Sequence, residues 1–260
     1  MGPSRILQRV PLLDGNGDVS AGHHFEEIGG LDKALSEHAE LVKNSVSQGG
    51  TGGIGSADSN WIIQILFRCL VDDVIPLNEG CLKPLKIIIP EGSMINPRYP
   101  AAVVAGNVET SQVIVDTLLG ALGMAAGSQG TMNNFTWGNE RFQYYETICG
   151  GAGATARRDG TDAVHTHMTN SRLTDPEVLE WRFPVCLESF SIRRGSGGSG
   201  RHSGGDGTDR RVRFLERMTA SMLAGHRRVP PYGLAGGQPG KVGCNYVKHR
   251  DDRLTELSHR

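Results

Sequence analysis

Hydrophobic residues recur at helical spacing most clearly in residues 108–126. The residues that fall on one face of this stretch are Ile114, Leu118, Ala121 and Leu122. A repeat of three to four residues predicts an amphipathic helix. Glu109 suits its first turn, because a carboxylate there faces the positive end of the helix dipole. We therefore expect the longest helix of the chain over residues 108–126.

Shorter helices are predicted at residues 31–46, 61–70 and 177–182. Asp58 or Ser59 is a suitable N-cap for the second of these helices. The third has the clearest start, because Asp175 is a good N-cap and Pro176 suits the first helical position. Together with residues 108–126, these patterns place helices in the first and middle parts of the chain.

The second half of the chain changes to a strand-like pattern. Strands are predicted at residues 85–89, 144–149, 185–192, 211–215 and 219–223. The sequence predicts an α+β fold, with mixed helices and strands in the middle and a β-rich, glycine-turn C-terminal part. It is neither a P-loop fold nor a Rossmann fold, because no GxxxxGK[ST] occurs and no helix follows the GSGGSG of residues 195–200.

Glycine is the compositional outlier, with 36 of 260 residues, about twice the usual share. This content indicates tight turns and close backbone contacts. The glycine-rich residues 48–56 predict a linker, so we expect a divergent segment at 1–56, a main region at 57–250 and a polar tail at 251–260. The net charge of −1, without a block of like charge, argues against nucleic acid or an anionic membrane as a partner.

Five widely spaced cysteines, with no CxxC pair, indicate reduced thiols rather than a disulfide framework or a cysteine-based zinc site. The N-terminus lacks the apolar segment of a signal peptide, and no stretch approaches the length of a membrane span. We therefore expect a cytoplasmic protein. His23 and His24, near two glutamates, are metal-ligand types, although an exposed pair without a preformed site is the better interpretation. The sequence leaves a bound metal unknown.

The densest polar chemistry lies in residues 150–172. In a strand, His165 and His167 would point to the same face, and Asn170 and Arg172 would follow on that side. Paired imidazoles suit acid–base work or a metal, and the guanidinium of arginine suits a carboxylate. We predict His165, His167 and Arg172 as catalytic residues and Asn170 as a substrate contact. A polar strand edge without a site role is the alternative.

Two further groups of polar residues are candidates for substrate binding. Asn107 and Gln112 would lie where the long helix starts, and free N–H groups there suit an anion. Capping of the helix is the alternative for this group. Asn133 and Asn134 are amides that can pair with the C=O and N–H of a lactam. A left-handed turn is the alternative for this pair.

Several collinear blocks between about residues 61 and 247 resemble the hydantoinase B/5-oxoprolinase family. They are PLNEGCLKPLKIIIPEGS (76–93), AAVVAGNVETSQ (101–112), SQGTMNNFTWG (128–138), YYETICGGAGA (144–154), HTHMTNSRLTDPEVLEWRFPV (165–185), RRGSGGSGRHSGGDG (193–207) and GLAGGQPG (233–240). The resemblance is to the C-terminal half of the B-type unit and is strongest to bacterial fused 5-oxoprolinases. Since family members are considerably longer, we expect this chain to be a truncated piece.

The resemblance implies part of an ATP-dependent hydrolase of cyclic amides, of the 5-oxoprolinase or N-methylhydantoinase type. ATP and Mg²⁺ would be bound by an A-type partner that phosphorylates the amide oxygen, and the B-type half would complete ring opening. Arg172 would then hold a substrate carboxylate, His165 or His167 would position water or transfer a proton, and the two asparagines would fix the ring. A carboxylase subunit of the acetone carboxylase type and a non-catalytic remnant are the alternatives.

Overall fold

A computed structural model of the chain describes residues 104–257 continuously. Before them it describes residues 62, 65, 66, 69, 74, 76, 78, 89, 91–93 and 95–100. The helix predicted at 31–46, the linker at 48–56, the boundary at 56 and His23–His24 lie outside the described residues. The chain divides into two compact units, Met1–Ala125 and Ala126–Arg260. Ile62, Ile65, Leu66 and Cys69 have helical backbone, in agreement with the helix predicted at 61–70.

The principal helix of the first unit, α1, spans Val104–Ala121. It starts four residues before the predicted start and ends five before the predicted end. The end has a local cause, because Gly123 adopts a left-handed φ of 64° that no helix continues through. The helix is buried on more than one side, since Gln112, Val113 and Asp116 are all buried while Ile114 is only half-buried. The predicted single apolar face is therefore wrong.

The earlier start changes the position of one predicted site residue relative to the helix terminus. Asn107 is the fourth residue of α1 and stays in its first turn, whereas Gln112 is the ninth residue, so the prediction that Gln112 flanks the free N–H groups at the start is wrong. Gln112 is fully buried in the first unit. No helix among the described residues combines the length and apolar character needed to cross a bilayer. The cytoplasmic location stays a prediction.

The described part of the second unit, residues 126–257, contains seven strands and one helix. The elements are β1 Asn134–Gly138, β2 Gln143–Thr147, α2 Pro176–Arg182, β3 Val185–Arg193, β4 Gly207–Phe214, β5 Thr219–Leu223, β6 Tyr246–Lys248 and β7 Leu254–Glu256. They form an antiparallel sheet in the order β2-β1-β5 and two antiparallel pairs, β3-β4 and β6-β7. The predicted α+β class is confirmed.

Local signals predicted some of these elements well and missed others. The start of α2 is confirmed, since the Asp175 carboxylate accepts a hydrogen bond from the Glu177 N–H at 2.9 Å and Pro176 is the first helical residue. β5 matches its prediction, and β4 begins four residues earlier than predicted. β1, β6 and β7 were not predicted, and β7 lies within the expected polar tail. The described cysteines, Cys69, Cys149, Cys186 and Cys244, are free thiols.

An aromatic core holds the two larger sheets and α2 together. Trp137 of β1, Leu179 of α2 and Val185 of β3 are almost completely buried. The indole of Trp137 lies 4.8 Å from the Tyr144 ring and 5.4 Å from the Phe183 ring, in tilted and edge-to-face arrangements. Such pairs stabilise a fold beyond the burial of their area alone. The core therefore rests on residues brought together from distant parts of the chain.

A buried ion pair joins the same two sheets. The guanidinium of Arg210 in β4 donates to both carboxylate oxygens of Glu146 in β2, at 2.6 and 2.8 Å. Both side chains are nearly inaccessible, at 3% and 2% exposure. The Tyr144 hydroxyl donates to the same carboxylate at 3.2 Å and contacts the Thr174 hydroxyl at 2.9 Å. The hydrogen bond to Thr174 connects this network to the C-terminal end of the segment 165–174, which contains the three predicted catalytic residues and Asn170.

Candidate functional site

The candidate site is built on a layer of glycine-rich segments. Gln129 N–H donates to the Gly151 carbonyl at 2.9 Å, and Val164 N–H donates to the Gly150 carbonyl at 2.8 Å. Residues 150–154 thus lie between residues 126–129 and residues 160–164. A Cβ on Gly151 would overlap the carbonyl of Gly205. The density of glycine in the sequence reflects these backbone contacts, which leave no room for side chains.

The clearest polar contact on this layer joins Ser128 to His167. The Ser128 Oγ lies 3.1 Å from His167 Nε2 and 3.3 Å from the Thr166 hydroxyl. Ser128 and Thr166 are buried, and His167 is half-buried. A hydroxyl within hydrogen-bond distance of an imidazole can pass or accept a proton, the arrangement shared by general-base and nucleophile pairs. Ser128 is the first residue of the family block at 128–138, and sequence analysis assigned it no role.

The backbone at the two histidines differs from the expected strand. Residues 165–167 contain no strand, and His167 adopts a left-handed φ of 53° in a turn. The prediction of a strand on which the two imidazoles would share a face is therefore wrong, and their membership of one site stays a prediction. Positive φ is uncommon outside glycine and is more common in histidine than in most residues. The turn brings His167, rather than the pair of histidines, to Ser128.

His165 occupies a different environment from His167. It is half-buried, and its Nδ1 is shielded from solvent with no hydrogen-bond partner among the described residues. Burial lowers the pKa of its imidazole below the ordinary 6.5, because the charged form is disfavoured away from water. Burial therefore favours the neutral form of His165, which can still form hydrogen bonds.

Asn170 and Arg172 lie on an exposed stretch between buried Thr169 and half-buried Thr174. No hydrogen bond among the described residues joins either side chain to His165 or His167. The exposed guanidinium of Arg172 is accessible to a charged ligand. Their membership of a common pocket with the histidines stays a prediction.

The two asparagines have structural contacts of their own. Asn133 adopts a left-handed φ of 47°, and its amide donates to the Ile148 carbonyl at 3.1 Å. Its Oδ1 accepts a hydrogen bond from Arg227 at 3.2 Å. Asn134 pairs with Thr147 in the sheet, and its Oδ1 accepts a short hydrogen bond from the Tyr145 hydroxyl. The turn that sequence analysis offered as the alternative is present at Asn133, and substrate binding by the pair stays a prediction.

The GSGGSG segment is a carboxylate-bound turn. It connects β3 to β4, and the Asp206 carboxylate accepts hydrogen bonds from the N–H groups of Gly195, Ser196 and Gly197 at 2.8–2.9 Å. The bond from Gly197 and its two neighbours hold the pKa of Asp206 below its usual value, against the opposing effect of burial. These N–H groups are occupied by a side chain of the protein itself. The rejection of a dinucleotide motif is thus confirmed by a strand–turn–strand context.

A cleft of about 880 Å³ opens beside this turn. Its walls include the carboxylates of Asp159, Asp162 and Asp206 and the side chain of Lys241. Asp159 accepts a hydrogen bond from Ser203 N–H and Asp162 accepts one from Asp206 N–H, so both carboxylates organise the loops. No predicted site residue lines this cleft. Among the described residues, no group of three or more histidine, cysteine, aspartate or glutamate side chains is arranged to hold a metal ion.

Sequence comparison identifies the family. The profile of the hydantoinase B/oxoprolinase family matches residues 54–259. A 5-oxoprolinase of Arabidopsis thaliana is 42% identical over 265 residues, which cover 97% of this chain and 21% of that protein. The chain therefore spans about one fifth of the length of this relative.

Two solved structures share the fold. The nucleotide-free structure of an acetone carboxylase, from a study of ATP-dependent acetone carboxylation, matches with a TM-score of 0.63 and 20% identity, over 75% of this chain and 28% of that one. An ATP-dependent caprolactamase from Pseudomonas jessenii matches with a TM-score of 0.61 and 21% identity, over 76% and 38%. At these identities the likeness concerns the fold alone. The family match and the homologue agree with the collinear motifs, and the chain belongs to the hydantoinase B/oxoprolinase family.

Proposed function

We propose that this chain is the B-type part of an ATP-dependent cyclic-amide hydrolase of the 5-oxoprolinase type. The observation that carries the proposal is the 42% identity to a 5-oxoprolinase over nearly the whole chain. The acetone carboxylase is only 20% identical, so the sequence favours the hydrolase over the carboxylase. The partner is an ATP-binding A-type domain or subunit, which phosphorylates the amide oxygen with ATP and Mg²⁺. Exposed apolar side chains such as Trp181 and Leu215 support packing against further protein.

In this proposal, His167 and Ser128 carry the proton movements of ring opening. Their contact of 3.1 Å lets the hydroxyl and the imidazole share a proton without rearrangement. The imidazole accepts a proton from the water that attacks the phosphorylated amide carbon and returns it to the ring nitrogen as the C–N bond breaks. The acyl phosphate that this leaves is hydrolysed by a second water to a carboxylate and inorganic phosphate. The hydroxyl is held by a turn and a buried neighbour, so the pair is oriented before substrate arrives. His165 is half-buried and contributes a hydrogen bond.

We assign substrate binding to one charged side chain, that of Arg172, and to asparagine amides. The exposed guanidinium of Arg172 binds a ring carboxylate, and Asn170 lies two residues before it on the same exposed stretch. Asn133 and Asn134 are proposed as further contacts of the ring.

Turnover of the assembled enzyme tests these assignments. In an assembly of this chain with an A-type partner, H167A and R172A should each lower 5-oxoproline turnover at least about tenfold. R172A should act mainly through KM, because it removes a binding charge, and H167A mainly through kcat. H249A is the matched control, since His249 bonds Thr255 in the β6–β7 hairpin, and its turnover should be unchanged. Normal turnover of folded H167A and R172A would contradict the assignment.

The chain by itself should not hydrolyse ATP, because its sequence has no phosphate-binding loop. Purified chain should show no ATPase activity that depends on 5-oxoproline, and activity should appear when the A-type partner is added. Substrate-dependent ATP hydrolysis by the chain alone would contradict this division of labour. Failure of every A-type partner to restore activity would favour the non-catalytic remnant.

A further inference from the structure

Gln129 is a buried amide whose hydrogen-bonding capacity the fold leaves unused. Its side chain is 8% exposed, and neither Oε1 nor Nε2 has a hydrogen-bond partner among the described residues. Burying a polar group without a partner is costly, and native proteins do it rarely outside functional sites. The adjacent backbone is well satisfied, since Gln129 N–H bonds the Gly151 carbonyl. At Gln129, only the side chain therefore lacks hydrogen-bond partners, since the backbone around it is regularly hydrogen-bonded.

The position of the Gln129 amide requires a glycine at residue 150. A Cβ on Gly150 would overlap the Oε1 of Gln129, so only glycine permits this placement. Gly150 also pairs with Val164, whose neighbour His165 carries a second unpaired buried atom, Nδ1. Ser128, the partner of His167, directly precedes Gln129 in the chain. Two residues with an unpaired buried polar atom, Gln129 and His165, thus belong to the segments that flank the Gly150–Gly151 backbone, and Gln129 follows a member of the proposed proton-transfer pair in the chain.

We infer that Gln129 recognises the cyclic amide through a two-point hydrogen-bonded pair, an inference that rests on the proposed function. The carboxamide presents an acceptor and a donor side by side in one plane. A lactam presents the complementary donor and acceptor side by side, because a small ring forces its amide to be cis. In the closed ring, before the A-type partner phosphorylates its oxygen, Oε1 accepts the lactam N–H and Nε2 donates to the lactam C=O.

This pairing separates the closed ring from the molecules that resemble it. Open-chain secondary amides are almost always trans, so their N–H and C=O point in opposite directions. The ring-opened product carries a carboxylate, which has no N–H to offer Oε1. A site that bonds both groups rejects analogues lacking one of them, because buried polar atoms are then left unpaired. Gln129 is therefore a specificity-determining residue for a cis-amide ring and requires no charge on the ligand.

Binding to the full chain tests this pairing without requiring turnover. Titration of the protein, followed by NMR, compares 2-pyrrolidone, which has the cis-amide alone, with N-methyl-2-pyrrolidone, which lacks the N–H. Wild-type protein should bind the first at least about tenfold more tightly than the second. Q129L should lose this preference, and its melting temperature should be equal or higher, because an unpaired buried amide has been replaced by an apolar group of similar size. Q143L, at an exposed glutamine of β2, should bind like the wild type.

The two proposals fail in different ways. R172A should weaken binding of 5-oxoproline and leave 2-pyrrolidone unaffected, whereas Q129L should weaken both ligands. Unchanged 2-pyrrolidone binding in folded Q129L, equal binding of the N-methyl analogue, or no lactam binding by wild-type chain would overturn the role of Gln129. G150A gives a second check, since it displaces the amide without removing it and should also weaken 2-pyrrolidone. Absence of ATP-dependent turnover alongside Gln129-dependent lactam binding would instead overturn the proposed function.

Discussion

The second unit contains an aromatic core and a glycine-rich layer, and different kinds of contact stabilise each of them. In the core, Trp137 packs against large side chains from β2, α2 and β4. In the layer, Gly151 and its neighbours bring backbone against backbone, and side chains such as Asp206 only bind N–H groups. The core is therefore stabilised by contacts between side chains, whereas the layer is stabilised by contacts between backbone atoms.

This difference explains where the candidate site lies. A backbone-held layer leaves the few side chains it carries, such as Ser128, Gln129 and His167, in fixed positions. Fixed polar groups lose little entropy when a ligand binds, which favours recognition and catalysis. We expect the core to contribute most of the folding stability and the layer to determine the positions of the site side chains. Mutations should therefore separate the two contributions.

The largest effect is expected in the core. W137A should lower the free energy of unfolding by about 4 kcal/mol, because it removes a 2%-exposed indole and leaves a cavity. Chemical denaturation followed by circular dichroism measures the change. W181A is the matched control, since Trp181 is 85% exposed, and it should change stability by less than about 0.5 kcal/mol. Equal losses of stability in the two variants would contradict the claim that the aromatic core stabilises the second unit.

The buried ion pair between the sheets should come next. R210M or E146L alone should each cost about 3 kcal/mol, because the remaining partner becomes a buried charge without compensation. The double variant should cost less than either single change, since no uncompensated charge remains. A double-mutant cycle by urea denaturation measures this coupling. K248A, at the exposed pair with Asp252, serves as the control, and additive effects at residues 146 and 210 would contradict the coupling.

In the glycine layer, G151A should cost about 2 kcal/mol, because the new methyl group overlaps the Gly205 carbonyl and the backbone must shift. G207A is the control, since its added Cβ would meet only the Ser196 hydroxyl at 3.6 Å, an ordinary contact. Thermal denaturation compares the two. G151A should also disturb His167 and Gln129 more than W137A does at equal stability, as seen in their NMR shifts. A silent G151A would show that the layer is not held by close backbone contact.

The smallest effect is expected at Asp206, and it should depend on pH. The pKa of this carboxyl lies below its ordinary 3.8 in the folded protein, so ionised Asp206 contributes stability above that value. The contribution is lost as pH falls through the folded pKa. D206N should therefore cost about 1 kcal/mol at pH 7, and the difference from wild type should shrink below pH 3.8. A difference that is constant with pH would assign the effect to shape rather than charge.

Sequence analysis succeeded where a short segment determines its own structure. Asp175 and Pro176 fix the start of α2 because capping involves only adjacent residues. β5 was predicted from five consecutive residues, and the glycine turn at 195–200 from the lack of a following helix. β1 was missed because Asn133, Asn134 and Gly138 are turn formers, and the strand exists through its pairing with β2 and β5.

The sequence alone determined the family, the α+β class and the turn-rich character of the second half, because motifs, local pattern and composition are all contained in it. Only the tertiary structure decided which polar residues meet. Ser128 and His167 are 39 residues apart and come together through a left-handed turn that strand alternation does not predict. Gln129 became a candidate only when its burial without a partner was known. Burial and contact between distant segments depend on packing, which no local pattern records.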